Sequence, residues 1–379
     1  MAKSDKRPPF ECVALLLQGG GALGAYQAGV YEGLAEADIH PDWVAGISIG
    51  AINAAIIAGN APEKRVEKLK GFWDSITSAP FLDPLGAFAI EGDTARRFFN
   101  QMTAAAVLSA GVPGFFTPRL PPPVFQPSGS PGATSYYDTS PLIGTLERFV
   151  DFDRINSGAM RLSAGAVNVR TGNFVYFDST TRKIGPEHIL ASAALPPGFP
   201  AVEIEGEHYW DGGLVSNTPL QWVLEYGPRY DTLAFQVDLW NARGRFPRNL
   251  MEVATRQKEI LYSSRTRDNT DSFRALQRVR HEVAALMGEL PAKFRENEGA
   301  AALSAFCDRK VYNIVHLIYR TRDFEGDSKD YEFSQLSMRD HWLAGYHDTK
   351  RTLRHPQALE RPTNPDGIAV FDFADHEDE

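Results

Sequence analysis

A short apolar run, Val13-Ala14-Leu15-Leu16-Leu17, is followed almost at once by Gly19-Gly20-Gly21-Ala22-Leu23-Gly24. No other feature narrows the fold as much. A continuous apolar run marks a strand buried on both faces, and a glycine-dense turn behind it lets the chain reverse tightly into a helix. Ala25 to Leu34 supplies that helix. The same unit then recurs: Trp43-Val44-Ala45-Gly46-Ile47 reads as a strand, Ser48 as the turn, and Ala51 to Ala58 as a helix. Two strand–turn–helix units in series predict an α/β fold with parallel strands.

The second turn carries chemistry. Gly46-Ile47-Ser48-Ile49-Gly50 fits the G-x-S-x-G elbow, in which a sharp strand-to-helix turn exposes a nucleophilic serine. Small neighbours are needed because larger ones clash at so tight a turn. The first glycine turn offers backbone N–H groups that would hold an oxyanion. Together they suggest ester-cleaving chemistry. The rival for Gly19-x-Gly21-x-x-Gly24 is a dinucleotide-binding turn, which wants an acidic residue ending the second strand. Asp42 only begins that strand, and Ser48 ends it, so the oxidoreductase reading loses. The plainer alternative for Ser48 is a helix-capping serine.

Ser48 needs a base. Nine histidines leave a Ser-His-Asp triad open. His316 reads as mid-strand, His341 and His347 as helical surface, and His208 as part of a hairpin. Asp211 follows Tyr209-Trp210 and precedes Gly212-Gly213. By itself that pattern reads as an Asx-turn aspartate.

Composition bounds the partners. The 379 residues carry a formal net charge of −9, with no long basic block, which argues against nucleic acid and against steering to anionic membranes. Two cysteines, Cys12 and Cys307, give neither a disulfide framework nor zinc spacing. No stretch is long and apolar enough to span a bilayer. The default location is the cytoplasm, with peripheral contact at a membrane or lipid surface.

Further along, Pro62 to Thr77 is an amphipathic helix with Val66, Leu69, Phe72, Trp73 and Ile76 on one side. Residues 79–141 are rich in Pro, Gly, Ala and Phe and read either as a loop folded onto the core or as an irregular lid or cap, in which Phe115, Phe116 and Phe125 would meet lipid or acyl chains. Arg161 to Val169 and Asn173 to Phe177 form a strand pair, and Glu203 to Trp210 a hairpin that delivers Asp211. Leu233 to Leu239 is a buried strand. Asn249 to Leu290 is helical with breaks, Val311 to Tyr319 is a strand, and Ser334 to Leu353 a closing helix. Residues 361–379 read as an acidic, solvated tail.

Four blocks in order, Gly19 to Gly24, Gly46 to Gly50, Ala191-Ser192-Ala193-Ala194-Leu195-Pro196-Pro197 and Asp211-Gly212-Gly213, resemble the patatin-like phospholipase family. The resemblance covers about Phe10 to Leu239. It implies a three-layer α/β/α sandwich with a mainly parallel central sheet. It also implies a Ser–Asp dyad without histidine, Ser48 as nucleophile, Asp211 as base, and the N–H groups of Gly19, Gly20 and Gly21 as oxyanion hole. Gly24, Gly46, Gly50, Gly212 and Gly213 are the motif glycines. No metal or cofactor is implied. Residues 10–240 would be the catalytic domain and 241–360 a helical extension whose strand joins the sheet. The resemblance gives that extension no functional role. The expected substrate is a lipid ester: phospholipid, lysolipid or neutral ester. A hydrolase of short hydroxyacyl oligoesters and a non-catalytic acyl-binding protein are the alternatives. One departure is Leu23, where the family commonly has Arg or Lys. With the acidic balance, it suggests a preference for uncharged head groups.

Overall fold

The computed structural model describes residues 7–79, 92–226, 229–263, 266–291, 297–322 and 324–373. The chain opens with β1 (Cys12–Leu17), α1 (Ala25–Glu36), β2 (Trp43–Ile47), α2 (Ile49–Ala58) and α3 (Pro62–Thr77). β1 pairs in parallel with β2. Every residue of both strands is buried. Alternate side chains of β1 leave by opposite faces, as strand geometry requires. Val13, Leu15 and Leu17 join the larger core with α1, α2 and α3. Cys12, Ala14 and Leu16 join a smaller core with Leu220, Val223, Leu224 and Phe273. These two cores hold a layer of helix against each face of one sheet.

The region expected to be an irregular lid contains a long helix, α4 (Asp93–Ala110). Its buried positions are Arg96, Phe99, Asn100, Thr103, Ala104 and Val107, a helical period in which half the residues are polar. Apolar periodicity alone therefore misses it. Arg96 is ion-paired with Asp340 at 3.0 Å and donates to Ser337, so the buried charge is compensated. Phe81 and the rest of 80–91 lie outside the described residues. A two-strand ladder follows, β3 (Thr117–Pro118) with β4 (Tyr137–Asp138), then α5 (Ser140–Phe149) and α6 (Phe152–Asn156).

The middle of the chain adds β5 (Arg161–Asn168), β6 (Phe174–Asp178), α7 (Pro186–Ser192), β7 (Val202–Ile204), β8 (Glu207–Asp211) and β9 (Thr232–Asp238). Beyond residue 240 come α8 (Leu250–Tyr262), α9 (Thr266–Glu289), α10 (Glu298–Phe306), β10 (Tyr312–Ile318), α11 (Gln335–Thr352) and β11 (Ile368–Asp372). One sheet of nine strands runs β11-β10-β9-β1-β2-β5-β8-β7, with β6 paired to β5. β11, β10, β9, β1, β2 and β5 are parallel neighbours. β6, β7 and β8 are antiparallel. The stretch read as an acidic tail thus contributes β11, which pairs in parallel with β10. Only 374–379 of that tail lie outside the described residues.

The long segment after β9 is built into the sheet and the helical layer. α11 packs along α1 at small residues: a Cβ on Gly29 would collide with the Trp342 backbone, and one on Gly345 with that of Tyr26. His341, expected on a helical surface, is buried and hydrogen-bonded to Glu325 at 2.6 Å.

Candidate active site

β2 delivers Ser48 at its C-terminal end, and the helix α2 starts at the next residue. Ser48 has φ 57° and ψ −127°, a conformation that non-glycine residues avoid. The strain is held by close contacts. A Cβ on Gly46 would collide with the Gly50 carbonyl, and one on Gly50 with that of Leu17. The Ser48 N–H donates to the Ser192 carbonyl at 3.2 Å and to its Oγ at 3.1 Å, and Ser192 Oγ donates to the Gly165 carbonyl at 2.6 Å. Ser192 lies in the third sequence block but was given no role there.

The sheet brings Asp211 to the same place. On β5, Gly165 pairs with Ile47 and the next residue, Ala166, pairs with Asp211. β6 occupies the other edge of β5, so β8 takes over from β2 where the elbow leaves the sheet. Ser48 and Asp211 line the same cavity, and the Ser48 side chain lowers the carboxyl's pKa. Gly213 N–H donates to Asp211 Oδ1 at 2.7 Å. Burial pushes the carboxyl up to about 7, against the lowering effect of these two groups. None of the described residues lining the cavity around this pair is a histidine.

The glycine turn forms the facing wall, but its donors are not equivalent. Gly19 N–H donates to Asn217 Oδ1 at 3.0 Å. That donor is spent, so the expectation that Gly19 serves an oxyanion is corrected. Gly20 and Gly21 N–H have no acceptor among the described residues. Gly21 has φ 54°, and a Cβ there would collide with the Asp330 carbonyl, so only glycine fits. Asn217 also donates through Nδ2 to the Gly19 carbonyl at 3.0 Å and to that of Tyr262 at 3.0 Å. Gln18 Oε1 accepts from Leu239 N–H at 2.6 Å and Trp240 N–H at 3.0 Å, and Trp240 Nε1 donates to the Gly19 carbonyl at 2.9 Å. A lone asparagine in a loop carries no signal in one sequence, which is why Asn217 was missed.

Asn217→Ala is expected to cost about 2 kcal/mol of stability by orphaning the Gly19 donor and acceptor. It should also lower ester turnover by ~10-fold or more, because the neighbouring donors shift with the turn. Melting curves beside initial rates check both. Unchanged turnover in a destabilised variant removes the positioning role.

The cavity measures about 290 Å³. Phe115 and Phe116 are buried in its wall against Phe199 and Phe333, so they face the cavity and are not the exposed aromatics expected of the segment. Phe125 alone of the three is exposed, at 77%. Tyr262, Asp330, Tyr331 and Phe333, all from the segment given no role, also line the cavity. Leu23 does not: it is fully buried in the core behind the turn. The head-group expectation built on Leu23 therefore has no footing in the site.

A strained serine elbow that opens into an apolar cavity over a mainly parallel sheet puts the molecule among the lipid acyl hydrolases. Residues 15–223 match the family model described as patatin-like phospholipase. Residues 260–365 match a second, described as patatin phospholipase. The chain belongs to the patatin-like phospholipase family. No curated protein matches it. Among solved structures it is similar to VipD from Legionella pneumophila, at 15% identity over 98% of this chain and 76% of that one, with a TM-score of 0.42. It is also similar to the type III effector protein ExoU, at 14% identity over 93% and 54%, with a TM-score of 0.32. A complex of SpcU with ExoU from Pseudomonas aeruginosa gives 17% identity over 69% and 52%, with a TM-score of 0.28. No helix among the described residues is long and apolar enough to cross a membrane.

Proposed function

We propose that this lipid acyl hydrolase cleaves carboxylic esters through a Ser48–Asp211 dyad and an acyl-enzyme. The observation that carries the reading is the strained Ser48 set beside a buried Asp211 in one cavity, with the carboxyl pushed up to about 7. A carboxylate of ordinary acidity is a poor acceptor for a hydroxyl proton; one raised towards neutrality is a better match. Ser48 Oγ bonds to the ester carbonyl carbon as its proton passes to Asp211. The Gly20 and Gly21 N–H groups receive the carbonyl oxygen as it becomes an oxyanion. The tetrahedral intermediate collapses, the C–O bond to the leaving alcohol breaks, and Asp211 returns the proton to that alcohol. Water then attacks the acyl-Ser48 ester, with Asp211 taking its proton; the bond from the acyl carbon to Ser48 Oγ breaks, Asp211 returns the proton to that oxygen, and the free acid leaves.

The cavity wall is dominated by aromatic and aliphatic side chains, which suits an acyl chain. A lipid ester is therefore favoured over a short hydroxyacyl oligoester. A fluorophosphonate probe should label Ser48 alone, as read by peptide mass spectrometry. Rates on a panel of esters should rise with acyl length until the cavity is filled. Labelling at another serine, or no labelling of the folded protein, overturns the dyad. A flat response to chain length removes the acyl role of the cavity.

A further inference from the structure

The glycine turn is supported at both ends, and the second support comes from beyond residue 240. Asn217 holds Gly19 on one side. On the other side of Gly20 and Gly21, the Ala22 N–H donates to the Asp330 carbonyl at 2.8 Å. The same carbonyl is the atom with which a Cβ on Gly21 would collide. The two N–H groups assigned to the oxyanion therefore sit between Gly19, held by a side chain, and Ala22, held by the Asp330 backbone. Where Asp330 goes, that end of the turn goes too.

Regular structure does not fix Asp330. Residues 324–334, just before α11, form neither helix nor strand. Side chains of α8 hold them instead. Lys258 Nζ donates to Asp330 Oδ1 at 2.9 Å and to Oδ2 at 3.2 Å, and also to the Asp327 carbonyl at 2.7 Å. The next residue of the helix, Glu259, accepts from Lys329 Nζ at 2.8 Å. A base and an acid in succession on α8 thus take an acid and a base in succession on the segment. At the end of the same helix the Tyr262 carbonyl accepts from Asn217 Nδ2 at 3.0 Å. The last turn of α8 therefore carries both supports of the glycine turn.

The two ion pairs differ in kind. Lys329 and Glu259 have side chains only 1% and 11% exposed, so removing either partner strands a buried charge and damages the fold. Lys258 and Asp330 are 30% and 22% exposed, and a pair that open adds little to overall stability. Yet Asp330 lines the Ser48 cavity, while Lys258 stands behind it with Nζ 4.9 Å from the centre of the Tyr331 ring. Small displacements matter at such a place: a shift of about 1 Å in an aligned group can cost on the order of 10²-fold in rate. The pair weighs little in stability and much in geometry.

We propose that Lys258 is a positioning residue for ester cleavage. By gripping the Asp330 carboxylate and the Asp327 carbonyl, it sets the Asp330 carbonyl against Ala22. The Gly20 and Gly21 N–H groups are thereby kept aimed at the oxygen that becomes the oxyanion. Lys258 acts through Asp330 and Ala22 and does not itself line the cavity. The inference rests on the Ser48–Asp211 reading above, and it gives the segment beyond residue 240 a part in the reaction.

The test uses the full chain with Lys258→Met, Asp330→Ala and the two combined. Asp330→Ala leaves no unpaired carboxylate in the cavity, so it separates lost position from a stranded charge. Rates are divided by the amount of Ser48 that a fluorophosphonate labels at completion, so that unfolded protein does not count. Each single variant should lose at least ~10-fold in kcat on a soluble ester with KM within ~3-fold of the parent, because an oxyanion donor acts in the transition state and not on the bound ester. The combined variant should lose no more than the worse single one, since both break the same link. Amide hydrogen exchange read by mass spectrometry should quicken at Ala22 in all of them and stay unchanged in β1. Parental kcat in both single variants, losses that multiply in the combined one, or a loss confined to KM overturns the inference. So does unchanged exchange at Ala22. Parental turnover by Ser48→Ala would bring down the dyad reading and this inference together. An inactive Ser48→Ala beside a fully active Lys258→Met would sink this inference alone.

Discussion

Ser48→Ala is expected to lower ester turnover by ~10⁴-fold or more, the scale seen when a serine nucleophile is removed from a hydrolase. The fold should survive. Ser48 N–H, not its hydroxyl, carries the bonds to Ser192 that anchor the elbow. The glycines at 46 and 50 keep their close approaches. The melting temperature should stay near that of the parent while labelling by a fluorophosphonate disappears. A folded variant that still turns over any accepted ester at a rate near wild type would place the nucleophile elsewhere.

Asp211→Asn should cost at least ~100-fold in rate, the low end for loss of a general base. Asparagine keeps an oxygen for the Gly213 N–H but accepts no proton. Two pH signatures go with it. With the carboxyl at about 7, turnover by the parent should rise with pH through neutrality on its acidic side, because only the carboxylate accepts the Ser48 proton. Stability should move the other way. A carboxyl whose folded value is raised from 3.8 to about 7 favours the folded state at low pH, and this contribution is lost as pH rises through the folded value. Asp211→Asn should therefore remove that loss and be the more stable protein above neutrality, by an amount on the order of a few kcal/mol. Denaturation midpoints of the two proteins at acid and alkaline pH check the sign. Were Asp211→Asn less stable than the parent at alkaline pH, the carboxyl would not be raised by burial. A histidine variant as inactive as Asp211→Asn, yet folded, would restore the triad.

Single-sequence reasoning reached the parts of the site that are local. The elbow around Ser48 is a strand, a turn and a helix in unbroken order, and each leaves its mark within a few residues: the apolar run, the flanking glycines, the helical alanines. Asp211 was harder. Its hairpin was legible, but by pattern alone it read as a turn residue, and the order of the four blocks was what attached it to Ser48. The polar buried face of α4 hid a helix, because Arg96, Asn100 and Thr103 find partners that no periodicity announces. The residues that hold the glycine turn, Asn217, Gln18 and Trp240, come from three separate stretches of the chain.

The amino-acid sequence by itself determined the strand-and-helix order, the parallel core around β1 and β2, the shape of the elbow and the candidate pair Ser48 and Asp211. The first three depend on local backbone preference or on the burial pattern of one element; the pairing of Asp211 with Ser48 came from the order of the four blocks. The tertiary structure decided what depends on two elements meeting. It placed Ala166 opposite Asp211 and so brought the carboxylate to the serine, and it spent the Gly19 donor on Asn217. It turned Leu23 into the core and Phe115 and Phe116 into the cavity wall. It also drew residues beyond 240 into both the sheet and the site. Hydrogen-bond partners and burial are properties of packing, and a chain read one residue at a time does not contain them.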